Sequence, residues 1–399
     1  MSCLVRSAAA LLVAIAAPGQ SAAADPPPLT LEHVLAATRP APEELSTQVD
    51  LWRARQLAAV SSRGLASGWT LAISGGPRRA PEVSDADLAA ELEIPLLTDD
   101  GARPDLLESL EQAEALLPSA ARGEALAVVA TAFVDAWAAQ EIEAARGEVL
   151  AATETWLATA RSRVAVGADA PFEAELVALE RHRAAAALVE ARAHRLAAWG
   201  SLAAVATLPA QPVALAPPPT SPRPDAESAR RLLRSSLALR AVEARTALAR
   251  SMLALQRSRD ESRWALRSTL AREGDEAVAH LGVAYRWPRR DERRLLRAAT
   301  EAEFAALARA GELARAALSS RLESALAFDD GEPLASRDGS ISIAQSALTA
   351  RLLEGKALPS EVLPVRLQLL AAAEATIERR AALARAAATL FYLIAEPLP

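Results

Sequence analysis

The sequence predicts a mainly α-helical protein with a small β part: long antiparallel coiled-coil helices, two β-hairpins and two internal structural repeats. Three observations carry that prediction. A helix break, Gly355–Lys356–Ala357–Leu358–Pro359–Ser360–Glu361, has a twin at Gly167–Ala168–Asp169–Ala170–Pro171–Phe172–Glu173. At their offset of 188 positions (355 minus 167), Arg163 falls on Arg351, Gly167 on Gly355, Pro171 on Pro359, Glu173 on Glu361, Leu179 on Leu367, Val189 on Ile377 and Pro209 on Pro397. One offset holding over so long a stretch marks a unit used twice. The apolar pattern also switches from helical period to strand period in two separate places, each flanked by helical sequence. Finally, 51% of the chain is apolar but only 4% aromatic. Alanine-rich sequence laced with Arg and Glu suits long helices packed along small-residue seams better than a compact globule.

At 399 residues the chain is long enough for a large core, and its net charge of −6 speaks against a nucleic-acid partner. Nearly every basic residue is arginine; Lys356 is the only lysine. Met1–Ala24 reads as a secretory signal, with Arg6 as its positive start, Ala8–Ala17 as its apolar run and Ala22–Ala23–Ala24 as a small-residue cleavage site. Cys3, the only cysteine, falls in that segment, so the mature chain is expected to have neither a disulfide nor thiol chemistry. No later stretch reaches eighteen uninterrupted apolar residues. Entry into a membrane would therefore be as a β-barrel.

In chain order, the first repeat covers 25–208. Pro26–Pro28 is a stiff lead, Leu29–Thr38 a short helix, and Glu43–Ser62 a longer one closed by Gly64. Trp69, Leu71 and Ile73 then alternate with Thr70, Ala72 and Ser74, a strand that Gly75–Gly76–Pro77 is expected to end. Leu88, Ala90, Leu92, Ile94 and Leu96 form the apolar face of a second strand, opposite Ala89, Glu91, Glu93 and Pro95, so 69–97 reads as a hairpin. Helix is expected from about Arg103 to Val166, with Pro118 as a kink, and again from the 167–171 tip to about Leu208. Residues 209–224, with seven prolines, read as an extended linker.

The second repeat, 225–399, follows the same plan. Asp225–Arg259 reads as one helix, and 263–287 as a hairpin turned at Gly274–Asp275. Trp264, Leu266 and Leu270 share one face of its first strand, and Ala279, Leu281, Val283, Tyr285 and Trp287 one face of its second. Helix resumes to Ala327, is expected to pause over Asp329–Gly339, and runs from about Ile341 to Leu353 before the 355–359 tip. The last helix, Glu361–Ala395, carries an apolar stripe through Leu363, Leu367, Leu370, Ala373, Ile377, Ala381, Ala384, Ala388 and Phe391.

An isolated hairpin is not stable in water, and this chain inserts two between long helices. Each strand is about long enough to cross a bilayer as a tilted barrel strand, with Trp69, Trp264, Tyr285 and Trp287 near strand ends, where a membrane-interface girdle would sit. The alternative is a four-stranded sheet capping a soluble helical bundle.

The residues also carry a family likeness. Thr30–Leu31–Glu32–His33–Val34–Leu35, followed by helix and strand, resembles the opening of TolC-type outer-membrane efflux proteins. So do the passages Leu92–Glu93–Ile94–Pro95–Leu96–Leu97 and Gly282–Val283–Ala284–Tyr285–Arg286–Trp287, and the tip turns Arg163–Gly167 and Arg351–Gly355. The likeness runs in order over essentially the whole mature chain. Departures are Arg39–Pro40 where that family has Asn-Pro, Val166 and Glu354 where it has an aromatic, and Pro364 at one of its acidic positions.

The resemblance implies a homotrimer in the bacterial outer membrane, with four strands per chain in a shared twelve-stranded barrel and a trimeric α-helical tunnel in the periplasm. It implies an exit duct for efflux or secretion that works with a periplasmic adaptor (membrane fusion) protein and an inner-membrane pump. It further implies that the tips Arg163, Gly167, Pro171, Arg351, Gly355 and Pro359 face the adaptor. Glu361, supplemented by Glu173 and Asp169, would ring a periplasmic gate. The rivals are a periplasmic coiled-coil scaffold and a family member without transport. No catalytic, cofactor or metal site is expected. His33, His182, His194 and His280 never fall at i,i+3 or i,i+4 spacing, and no phosphate loop or nucleophile elbow occurs. The run Arg289–Arg290–Asp291–Glu292–Arg293–Arg294 reads as a solvated face or a lumen lining.

Overall fold

The computed structural model describes residues 27–61, 70–80, 83–96, 102–219, 224–260, 264–273, 276–285, 290–328, 334–354 and 356–394. The signal-sequence reading, Trp69, Trp287 and Gly355 lie outside the described residues. Helix α1 spans Leu31–Ala36 and α2 Pro42–Ser61; strands β1 (Thr70–Ala80) and β2 (Val83–Leu96) follow. Then come α3 (Ala102–Ala165), α4 (Pro171–Val205), α5 (Ala226–Ser235) and α6 (Leu237–Asp260). Strands β3 (Trp264–Glu273) and β4 (Glu276–Tyr285) precede α7 (Arg290–Ala327), α8 (Leu334–Leu353) and α9 (Pro359–Ile394).

The strands form one antiparallel sheet in the order β1–β2–β3–β4. Leu92 lies beside Leu71 on one side and Ser268 on the other, and Leu266 beside Ile94 and Val283. Among the described residues no helix packs on either face of this sheet. The helices that continue the strands keep the same order: α2 packs on α3, α3 on α6 and α6 on α7, while among the described residues α2 and α7 do not touch. Sheet and helices thus make a single layer with two open edges, β1/α2 and β4/α7. Toward the other end the layer consists of α4, α3, α9 and α8, and among the described residues there α4 and α8 do not touch.

Helix α3 is the spine. Its 64 residues reach about 95 Å at 1.5 Å per residue, a length that needs partners on all its turns. Separate cores are strung along the layer. Near the sheet, Leu106, Leu110 and Leu117 meet Leu51 of α2 and Leu248 of α6. Midway, Phe133 and Trp137 meet Val34, Trp199, Leu202 and Ala381. Beside that, Leu322 and Leu390 pack with Leu233. At the far end Trp156, Leu157, Val177, Leu352 and Val362 close the tip. One window of α3 is apolar enough to cross a bilayer, but half of it is buried against neighbouring helices, as a core helix is.

Alanine and glycine let the helices approach closely; a Cβ on Gly123 would already stand 3.4 Å from the Tyr392 ring. Arginine forks stitch the seams: Arg385 donates to Asp135 at 2.6 Å, Arg315 to Glu243 at 3.2 Å, and Arg146 holds Glu374 through two nitrogens. Extended residues 206–216 are tied down as well. Leu29 and Leu215 bridge in parallel, and the Gln140 side chain bonds both backbone groups of Leu215 at 3.1 and 2.9 Å.

Four sequence expectations are corrected. Strand β1 does not end at Gly75–Gly76–Pro77 but pairs on to Ala80. As an edge strand it needs no second ladder, so Pro77 is tolerated. Helix α8 begins at Leu334, not after Gly339; the poor helix formers there cost little once propagation on both sides is favourable. The stretch 225–259 is two helices, broken at Ser236, whose extended backbone (φ −68, ψ 152) restarts α6 with its hydroxyl accepting from Leu239 N. The last helix starts at Pro359, where proline suits a first turn. Pro118 and Pro364 lie inside α3 and α9, which continue past both.

Candidate functional site

Two places combine exposure with chemistry: the bare sheet and the helix tips. The register sorts the sheet into two faces. One carries Leu71, Ile73, Leu92, Ile94, Leu266, Leu270, Leu281, Val283 and Tyr285, broken only by Ser268 and, toward the far end, Arg272 among the residues whose side chains are described, with Ile73 68% and Leu281 74% exposed. Trp264 pairs with Tyr285 at the helix-proximal end of the sheet. The opposite face carries Ala72, Ser74, Glu91, Glu93, Arg267, Thr269, His280 and Gly282, and Arg267 bonds Glu91 at 2.5 Å. A soluble protein would cover so largely apolar a face with helices.

At the far end of α3 the two tips stand side by side. The first turns at Gly167, whose φ of +71 is the left-handed conformation that closes a helix. Ala168 N donates to Arg163 O at 2.8 Å, and Lys356 N to Arg351 O at 2.9 Å, so both turns close with the same bond at equivalent positions. Arg163 grips Asp169 through two nitrogens, 2.6 and 2.8 Å, and the Asp169 carboxylate is only 2% exposed. These hydrogen bonds hold its carboxyl below the usual range, against the opposing effect of burial.

Glu173, 3% exposed, reaches across to the other tip and accepts from Ser360 N at 3.0 Å and Ser360 Oγ at 2.9 Å. Its counterpart Glu361 is exposed and accepts from Leu358 N at 3.2 Å, a capping bond within its own helix. Pro171 and Pro359 open the two returning helices, and Arg351 is exposed. Glu173 and Asp169 are therefore occupied within the chain, and of the three acidic gate candidates only Glu361 faces solvent.

Sequence reading misses Ser360, Trp156, Thr153 and Arg366. The Arg366 guanidinium lies 4.1 Å from the centroid of the Trp156 ring and donates to Val149 O at 2.9 Å and Thr153 Oγ1 at 3.3 Å. Burial lowers its pKa. These partners sit some two hundred positions apart in sequence, so no local pattern announces them. Among the described residues no cluster of His, Cys, Asp and Glu could hold a metal.

No family model and no curated protein matches the sequence. Solved structures do. The chain is similar to the outer membrane protein VceC of Vibrio cholerae, with a TM-score of 0.70 and 14% identity over 92% of this chain and 97% of that one. It is similar to the CmeC outer membrane channel of Campylobacter jejuni at a TM-score of 0.68 and 14% identity, over 91% and 85% of the two chains. The open state of the MtrE outer membrane channel of Neisseria gonorrhoeae gives 0.63 and 15% identity over 92% and 88%. The chain has the fold of these outer-membrane proteins, as the TolC-type resemblance of its motifs implies.

Proposed function

We propose that this chain is one subunit of an outer-membrane channel, the passive exit duct of a tripartite efflux or secretion system, and that it performs no covalent chemistry. The supporting observation is the open single layer, with a sheet that is apolar on one bare face and polar on the other. Four strands cannot enclose a lumen, because small barrels already need about eight. Closure takes further copies, and the family likeness makes them three. Edge β1/α2 of one copy then meets edge β4/α7 of the next. The exposed apolar residues Leu45, Val49 and Trp52 on α2 and Leu295 and Leu313 on α7 suit that contact.

In this reading the apolar sheet face meets outer-membrane lipid, with Tyr285 and Trp264 at the periplasmic interface. The tips reach about 95 Å into the periplasm toward an adaptor and, through it, an inner-membrane pump. Glu361, three copies around the axis, is the gate candidate. A periplasmic scaffold would have no use for the bare apolar face. Membrane fractionation followed by sizing in mild detergent tests the proposal. Trimers in the outer-membrane fraction are expected; a soluble periplasmic monomer overturns it.

A further inference from the structure

The sequence around the two hairpins is charged unevenly. In the ten residues before β3 and the twelve after β4 it holds nine arginines against four acidic residues, in a chain whose net charge is −6. The same windows around β1 and β2 hold two arginines against four acids, and the turn of the second hairpin, Arg272–Glu276, holds one against three. Of these places, only the helix end of the second hairpin is basic. Much of that surplus lies on the first turns of α7. At about 100° per residue, Arg290, Arg293, Arg294 and Arg297 fall within an arc of roughly 100°. Leu295, 73% exposed and assigned above to contact with the next copy, falls on the opposite side of the helix. Within the arc the arginines stand at i,i+3 or i,i+4 from one another, where like charges repel. At those spacings Asp291 offsets only Arg294, and Glu301 only Arg297. Such crowding is relieved by an anion from outside the chain.

The level of the arc in the fold says which anion. Helix α7 starts at Arg290, five residues after Tyr285, which pairs with Trp264 at this end of the sheet. The bare, largely apolar sheet face begins at the same level. A basic cluster directly beneath interfacial aromatics is the composition of a surface that meets phospholipid headgroups. We propose that the start of α7 binds anionic phospholipid in the periplasm-facing leaflet of the outer membrane. The inference rests on the channel reading above and adds to it a lipid class, phosphatidylglycerol and its relatives rather than zwitterionic lipid. Guanidinium forks match phosphate oxygens two at a time, and each basic residue at an anionic surface is worth about a fivefold preference.

Trimers purified in non-ionic detergent are titrated with phosphatidylglycerol and, separately, with phosphatidylcholine of the same acyl chains, and bound lipid is counted by native mass spectrometry. The wild type should retain phosphatidylglycerol at least about tenfold better at roughly 0.05 M salt, and with a clearly smaller preference at roughly 0.5 M. Arg290→Gln, Arg293→Gln, Arg294→Gln and Arg297→Gln together should lower that preference by about tenfold or more. The same four changed to Lys keep the charge and should keep most of the preference. Arg78→Gln with Arg79→Gln, at the far end of β1, should leave it unchanged.

A preference that survives the four glutamines, or one lost equally when Arg78 and Arg79 are changed, overturns the lipid site while trimers persist. So does a change in the channel's ion selectivity with lipid retention unmoved, which puts the arginines in the lumen. If the glutamine variant yields no trimer, the wild type decides alone, because a preference indifferent to salt overturns the site as well. A wild-type chain absent from the outer-membrane fraction sinks the channel reading, and the lipid site with it.

Discussion

The two helix tips share a closing hydrogen bond and differ in their bracing. Both close with the same bond, from the residue after the glycine position to the arginine four before it. In the first tip Arg163 then finds Asp169, and the turn is clamped by a half-buried bidentate pair. In the second, the position equivalent to Asp169 is Ala357, so Arg351 has no such carboxylate; Lys356 and Glu354 pair instead on the exposed surface at 2.7 Å. The glutamates diverge likewise. Glu361 folds back on its own helix start, while Glu173 crosses to hold Ser360. The first tip is self-sufficient and the second leans on it, so if one hairpin moves to open a passage, it is the second.

The largest effect should come from cutting the bond between the tips. Glu173→Ala removes two charge-assisted hydrogen bonds from a buried site, a loss of about 2–4 kcal/mol in local stability. Glu361→Ala removes one exposed capping bond, worth about 0.5–1 kcal/mol. Hydrogen exchange should therefore accelerate over Leu352–Val362 far more in the first variant than in the second. Equal acceleration in both would mean that Glu173 merely caps α4 and that the tips are not braced against each other.

Acid should separate the tips next. The Arg163 hydrogen bonds depress the Asp169 pKa, so the folded value lies below the unfolded one. A depressed carboxyl contributes stability that is full above its unfolded pKa of about 3.9 and is lost as pH falls through the lower folded value. Melting of the wild type should therefore lose ground to Asp169→Asn between about pH 5 and pH 2, the two converging at the acid end. The second tip, with Ala357 in that place, offers no matching carboxylate. A constant difference between the two proteins across that window would show that the pair contributes nothing through ionisation.

How much of this was open to sequence reading depends on the range of the interaction. Period-two alternation makes both hairpins and their apolar faces legible, because a strand's facing is written residue by residue. The offset between Gly167 and Gly355 pairs the tips and places Glu173 and Glu361 on equivalent turns. What escapes is the choice each side chain then makes. Nothing near Glu173 points to Ser360, 187 positions away, and nothing near Arg366 points to Trp156. The extent of β1 escapes for a related reason. Gly75–Gly76–Pro77 reads as a stop, and only the edge position of the strand makes it harmless. The stripe on the last helix is legible but incomplete as a guide to burial. Leu370 and Ala381 are buried, whereas Leu367 and Phe391 are exposed, because helical spacing marks a face without saying whether a neighbouring helix covers it.

The smallest expected effect is the one that sharpens the comparison most. Ala357→Asp copies the first tip's carboxylate into the second, opposite Arg351, at a half-buried position beside Leu352 and Val362. An ion pair at so accessible a place is worth a few tenths to about 1 kcal/mol, and burying part of the new carboxylate takes some of that back. Hydrogen exchange over Leu352–Val362 should slow slightly, and slow further when Glu173 is intact, because the two braces act on the same helix start. If the second tip is the moving part, the same substitution should lower single-channel open probability or export while leaving trimer recovery unchanged. A tip that is measurably stiffer with conductance and export untouched would remove the second hairpin from any gating role and return the asymmetry between the tips to a matter of packing alone.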